Sequence, residues 1–175
     1  MDAARPWKTA WITGASSGIG RELALRLAGL GVRVAATARS ADNLKVLAAS
    51  NPLISPYPGD VTDAAAMKDT FAAIERDLGP VDLAIFSAGI WQGMLVSDFS
   101  AERGKDVMTV NYFGVLNALE PAMAAFASRG RGHIAILSSV AGFRGVMKGA
   151  AYAPTKAALI SLSEALYPHL ARKGV

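Results

Sequence analysis

A tyrosine and a lysine stand four positions apart, at Tyr152 and Lys156, and acid–base chemistry can use that spacing. In a helix, side chains four residues apart lie on one face, about one turn from each other. A cation beside a phenol favours the phenolate, so the pair is a candidate acid and base near neutral pH. Ser139 adds a hydroxyl just after a strand-like run, residues 132–137. The spacing also arises by chance, so its meaning depends on what the rest of the chain places around it.

A glycine-rich turn, residues 13–20, is the second candidate site. It follows a short apolar run, residues 8–13, and precedes a segment with leucines at helical spacing. Glycine allows a tight turn and close backbone approach, and a helix N-terminus attracts phosphate. The turn therefore predicts a dinucleotide site formed by Gly14, Ser16, Ser17, Gly18, Ile19 and Gly20.

The end of the second predicted strand indicates which dinucleotide binds. NAD sites commonly place an acid about 20 residues beyond the glycine loop, on the ribose hydroxyl. Here Arg39 and Ser40 stand at that place, and no acid comes before Asp42. A guanidinium can pair with a 2′-phosphate, with Ser40 assisting, which favours NADP(H) over NAD(H). The alternative is that Arg39 is simply an exposed arginine at a helix start.

Further candidates follow the remaining strands. Asp60 and Val61 follow the third strand, where Asp60 either meets an adenine amino group or caps the next helix. The small residues Ser87, Ala88 and Gly89 follow the fourth strand, and Ser139 follows the fifth. Carboxyl ends of parallel strands form the ligand-binding edge of open sheets, so these positions reinforce the tyrosine–lysine pair.

Strand-like and helical segments alternate five times along residues 1–175, and the strands are continuous apolar runs. That pattern predicts one α/β domain, a doubly wound parallel sheet with helices on both faces. Two long helices are expected, over residues 101–128 and residues 152–172. Pro121 is expected to kink the first of them or weaken one turn.

Composition excludes several classes of function. Hydrophobic residues make up 52% and charged residues 18% of the 175, which indicates a folded core, and the absence of cysteine removes thiolate chemistry. The two histidines, His133 and His169, have no evident ligand partners, so no metal is predicted. Scattered basic residues at a net charge of +4 argue against nucleic acid, and no apolar run is long enough for a membrane span. With no secretory segment after Met1, a cytoplasmic protein is expected.

The combination of motifs resembles the short-chain dehydrogenase/reductase family. Residues 13–20 match its TGxxxGIG cofactor loop, and Asn111 matches the asparagine of its catalytic set. Ser139 matches the catalytic serine, and Tyr152 with Lys156 matches YxxxK. The resemblance runs from about Lys8 to the last residue.

The resemblance implies an oxidoreductase that moves a hydride between NADP(H) and a small carbonyl or alcohol substrate. By this resemblance, Tyr152 would transfer the proton. Lys156 would lower the pKa of that tyrosine and would hold the nicotinamide ribose. Ser139 would bond the substrate oxygen, and Asn111 would hold a water in a proton relay. Long helices in this family often build subunit interfaces, so a homo-oligomer through the two long helices is a further hypothesis.

Two features depart from the family pattern. Ser87 replaces an asparagine that is common after the fourth strand, and the chain ends where a sixth strand is expected to begin. The second departure leaves an alternative, a non-catalytic nucleotide-binding or interaction fragment whose fifth strand is an open edge. The substrate is not identified: four apolar side chains either line a pocket or simply pack, namely Trp91, Met94, Phe143 and Met147.

Overall fold

Five parallel strands form one sheet in the computed structural model, which describes residues 7–175. The strands are β1 (Thr9–Thr13), β2 (Arg33–Ala38), β3 (Ile54–Pro58), β4 (Leu83–Phe86) and β5 (His133–Ile136). Their order is β3-β2-β1-β4-β5, so the sheet is wound outward in both directions from β1. This confirms the predicted doubly wound parallel sheet. Residues 1–6 of the predicted domain lie outside the described range.

Within that range, six helices connect and cover the strands. They are α1 (Gly18–Gly29), α2 (Ala41–Ala49), α3 (Ala64–Leu78), α4 (Ala101–Met108), α5 (Gly114–Arg129) and α6 (Ala153–Ala171). Ser40 caps α2 and Asp63 caps α3, each accepting a backbone N–H three residues on. Side-chain caps of this kind satisfy N–H groups that a helix start leaves free.

Both faces of the sheet are buried, which explains why its central strands are apolar throughout. On one face, Ile12 of β1 packs in a cluster with residues of α1 and α2. On the other face, Trp11 packs with residues of α3 and α5, and its Nε1 donates to Thr37 Oγ1 at 2.9 Å. A continuous apolar strand is what a sheet covered on both sides requires.

The long helix expected over residues 101–128 is divided. A π turn, Thr109–Phe113, separates α4 from α5, and α5 runs through Pro121. The irregular turn therefore precedes the proline rather than coinciding with it. Tyr152 is the N-cap of α6, and Pro154 lies in its first turn, where a missing N–H costs no helical bond.

Candidate functional site

A groove of about 490 Å³ lies at the carboxyl edge of the sheet. Segments that follow all five strands contribute to its wall, together with the start of α6. It brings together nearly all the residues predicted for the cofactor: Gly14, Ser16, Ser17, Gly18, Ile19, Arg39, Ser40, Asp60, Val61, Ser87, Ala88, Gly89, Tyr152 and Lys156. Gly20 is buried beneath the wall, where a Cβ would lie 2.7 Å from Ser87 Oγ.

Two glycines of the loop have different surroundings. Gly14 has φ +71°, and a Cβ there would lie 2.6 Å from the Cα of Ala88, so the β1 and β4 ends touch backbone to backbone. Gly18 has φ +53°, but a Cβ there would meet no heavy atom within 4 Å. Gly14 thus closes the floor of the groove, whereas Gly18 leaves space beside the start of α1. Ser17, the N-cap of α1, makes no side-chain cap bond.

Arg39 lies at the end of β2 with its side chain exposed on the groove. Within residues 7–175 it takes part in no ion pair. Ser40 Oγ accepts from Asn43 N at 3.3 Å, so this hydroxyl caps α2 while it lines the groove. A cation held by no carboxylate beside a groove is suited to an anionic ligand.

Asp60 organises the turn after β3. Its Oδ1 accepts from both N and Oγ1 of Thr62, each at 2.9 Å, whereas the cap of α3 is Asp63. The alternative prediction that Asp60 caps the following helix is therefore wrong, because Asp60 makes its bonds within the turn that precedes α3. Asp60 also lines the groove, half-buried.

Lys156 is buried, with 5% of its surface exposed, and its Nζ donates to the Leu137 carbonyl at 2.8 Å. Nζ lies 5.5 Å from the centre of the Tyr152 ring. Burial lowers the pKa of Lys156 below its ordinary value of 10.5. The end of β5 therefore fixes the position of this amine beside the tyrosine.

The two serines after β5 have different partners. Ser138 Oγ donates to the Lys156 carbonyl at 2.8 Å, and Ser138 lines the groove. Ser139 is half-buried and outside the groove wall, and its Oγ accepts from Ala141 N at 3.2 Å. Sequence reasoning selected Ser139 alone and missed the tie that Ser138 makes between β5 and α6.

Asn111 is fully buried in the π turn and holds the segment after β4. Its Oδ1 accepts from Ile90 N at 2.7 Å, and its Nδ2 donates to Ile90 O at 3.0 Å and to Thr155 Oγ1 at 3.2 Å. A Cβ on Gly89 would lie 3.3 Å from Asn111 Oδ1 and 3.7 Å from Lys156 Nζ. The amide thus lies behind the groove wall and close to the lysine, with no unsatisfied polar atom. The sequence pointed to Asn111 only through its match to the asparagine of the resembled family's catalytic set.

Of the four apolar candidates, only Trp91 lines the groove. Its ring centre lies 4.8 Å from that of Tyr152, at an interplanar angle of 67°. Met94 is buried packing, while Phe143 and Met147 are 80% and 87% exposed and lie outside this groove. Six further wall residues were not predicted from the sequence, namely Ala38, Gly59, Ile90, Val110, Leu137 and Ser138.

No helix within residues 7–175 combines the length and apolar character that crossing a bilayer needs. The same residues contain no group of three or more potential metal ligands placed together.

Open parallel sheets bind ligands outside the carboxyl ends of their strands, where the strand order reverses, and this groove lies at that place. The fold and site thus define an α/β nucleotide-binding class of protein. The family description "short chain dehydrogenase" matches residues 8–175. This chain belongs to the short-chain dehydrogenase family of oxidoreductases, whose members bind a nicotinamide cofactor.

Similar proteins agree with this placement. An uncharacterized oxidoreductase from Myxococcus xanthus is 36% identical over 97% of this chain and 68% of its own length. An acetoacetyl-CoA reductase from Rhizobium meliloti is 33% identical over 96% of this chain and 70% of its own length. A variant of actinorhodin polyketide ketoreductase, solved with NADPH, superposes with a TM-score of 0.91 at 31% identity, over 95% of this chain and 66% of that one. The chain therefore spans about two thirds of the length of the proteins it matches.

Proposed function

We propose that this protein transfers a hydride between NADP(H) and a carbonyl or alcohol substrate, with Tyr152 as the proton donor or acceptor. The observation that carries the proposal is that Tyr152, Lys156 and the glycine loop open into one groove. A proton-transfer group and a phosphate-binding turn in one cavity are the two parts that nicotinamide chemistry needs from a protein.

The groove fits a dinucleotide. Its volume of about 490 Å³ lies within the range typical of small-molecule sites. The open space beside Gly18 and the uncapped N-terminus of α1 suit a pyrophosphate, and Arg39 suits a 2′-phosphate. When bound there, NADP(H) supplies or accepts the hydride. The NADPH in the structure of the actinorhodin ketoreductase variant supports this choice of cofactor.

The chain's own residues would transfer the proton and position the substrate and the cofactor ribose. Tyr152 gives a proton to the substrate oxygen or takes one from it. Lys156 has three donor positions as an ammonium, of which the Leu137 carbonyl takes one, leaving two for ribose hydroxyls. Ser139 lies next to the wall residue Ser138 and its Oγ accepts from Ala141 N, so its O–H can donate, and it is proposed to bond the substrate oxygen. Asn111 fixes the wall at Ile90 and is proposed to hold the relay water.

Replacing the tyrosine hydroxyl tests the proposal. Tyr152→Phe keeps the ring but removes the proton donor, so turnover of a ketone panel with NADPH should fall by roughly 100-fold or more while NADPH affinity stays within about twofold. Tyr57→Phe is the matched control, because Tyr57 lies in β3 outside the groove and its hydroxyl bonds only Asp77, so both measurements should stay unchanged. Undiminished activity in Tyr152→Phe contradicts the assignment. NADPH binding without turnover by the unsubstituted chain favours a nucleotide-binding fragment instead.

A homo-oligomer through the long helices is also proposed. α6 buries only four of its nineteen residues, and its exposed side carries Tyr167 at 71% exposure. A largely apolar helix with so little of its surface covered suits contact with a second copy.

A further inference from the structure

Trp91 lies in a segment that is fixed at both ends. Asn111 bonds both backbone groups of Ile90, at 2.7 and 3.0 Å, just before the tryptophan. Three residues after it, Met94 N donates to the Lys148 carbonyl at 3.0 Å, and Met94 is 5% exposed. The backbone that carries the indole is therefore held on one side by the buried Asn111 and on the other by the bond to Lys148 and the burial of Met94.

The indole of Trp91 does not pack into the hydrophobic core. Trp91 is 52% exposed and lines the groove, in contrast to Trp11, which is fully buried. Its ring meets that of Tyr152 in an edge-to-face arrangement, with centres 4.8 Å apart. Such aromatic pairs favour a defined ring geometry beyond the area that they bury. A large aromatic surface thus stands exposed beside the group proposed to transfer the proton.

We propose that Trp91 sets substrate specificity by selecting planar, conjugated carbonyl compounds such as aryl ketones. The inference rests on the proposed function. An aryl ketone gains a hydride at its carbonyl carbon and a proton from Tyr152 at its oxygen. It would become a secondary alcohol, with NADPH supplying the hydride and being oxidised to NADP⁺, and Tyr152 would regain its proton from solvent. The indole stacks against the aryl ring, while aliphatic wall residues such as Ile90, Val110 and Leu137 present no aromatic face.

A pair of ketones that differ only in aromaticity tests the selection. Acetophenone and its saturated analogue, cyclohexyl methyl ketone, are compared as the ratio of their kcat/KM values. Trp91→Leu should lower the preference for acetophenone roughly 2- to 10-fold, the range that one aromatic pair contributes, whereas Trp91→Phe should retain most of it. Phe99→Leu is the control, since Phe99 is 69% exposed and outside the groove, and its ratio should equal that of the wild type.

A binding measurement keeps this inference separate from the proposed function. Calorimetric titration of both ketones into the NADP⁺-saturated chain measures selection without turnover, because the oxidised cofactor has no hydride to transfer. If neither ketone is reduced but acetophenone binds more tightly, and Trp91→Leu removes that difference, the inference stands and the catalytic proposal fails. Equal binding of the two ketones by the wild type, or an unchanged preference in a folded Trp91→Leu variant, overturns the inference. Thermal unfolding of each variant establishes that it is folded.

Discussion

Alanine substitutions at three glycines should separate the packing role of the glycine loop from its cofactor role. Gly14 has φ +71°, and a Cβ added to it would lie 2.6 Å from the backbone of Ala88, whereas Gly18 has φ +53° and open space around it. Gly29, the last residue of α1, has neither a positive φ nor a neighbour within 4 Å, so it serves as the control. Gly18 therefore differs from Gly29 in its backbone conformation, and Gly14 differs from Gly18 in the space around an added Cβ.

The expected magnitudes follow from those factors. A left-handed conformation costs an alanine about 1–2 kcal/mol, partly offset by about 0.4–1 kcal/mol from a less flexible unfolded chain. Gly18→Ala should therefore lose about 1 kcal/mol of stability. Gly14→Ala adds an overpacking cost of about 1–3 kcal/mol against backbone that cannot rotate away, for a total of about 2–4 kcal/mol. Gly29→Ala should gain about 0.5–1 kcal/mol, because alanine is the better helix former.

Urea unfolding of the cofactor-free chain measures the stabilities, and NADPH titration measures the function. Gly18→Ala should weaken NADPH binding by roughly tenfold or more, since its methyl group enters the space proposed for the pyrophosphate. Gly29→Ala should bind as the wild type does. A Gly18→Ala variant with wild-type NADPH affinity would refute the cofactor placement. Wild-type stability in Gly14→Ala would refute the close approach of β1 and β4.

Two further predictions concern charge. Because burial lowers the folded-state pKa of Lys156 below 10.5, the folded protein releases this proton at a lower pH than the unfolded chain does. The stability of the wild type should therefore rise relative to Lys156→Met as pH increases toward 10.5. Urea unfolding of both proteins across this range measures it, and an equal change of stability with pH in the two proteins would contradict that reasoning. Exchanging Ala38 for Asp together with Arg39→Leu should move the preference from NADP(H) toward NAD(H); a constant ratio of the two kcat/KM values would show that Arg39 is not the selector.

The fold was predictable because its signals are local. A strand covered on both faces is predominantly apolar rather than alternating, and the run of residues 10–12 in β1 shows this, with a buried threonine at each end. Glycines with positive φ mark the turns where β1 and α1 meet. The division of the long helix at Thr109–Phe113 was not predictable, because it accompanies the bonds of Asn111 to residues far away in the chain. The sequence indicated an irregularity only through Pro121, which α5 accommodates.

The site was predictable in its chemical groups but not in their partners. The spacing of Tyr152 and Lys156 places them one turn apart, but no pattern shows that the lysine bonds the carbonyl of Leu137. Likewise, adjacent serines look equivalent in sequence, whereas Ser138 turns toward α6 and Ser139 caps the next turn. Such partners depend on how β5 packs against α6, which is a tertiary property.

The start of α6 is bonded to parts of the chain far from it in sequence. The carbonyl of Lys156 accepts from Ser138, and its amine donates to Leu137, so both ends of the lysine are tied to the segment after β5. Thr155 is bonded to Asn111 and in turn donates to the Tyr152 carbonyl at 2.7 Å. A proton-transfer group is effective only when it is held close to its productive geometry, and a misplacement of about 1 Å can cost 100-fold in rate. The positioning of Tyr152 therefore depends on β5 and on the π turn as much as on α6, and buried residues that never touch a substrate should affect turnover.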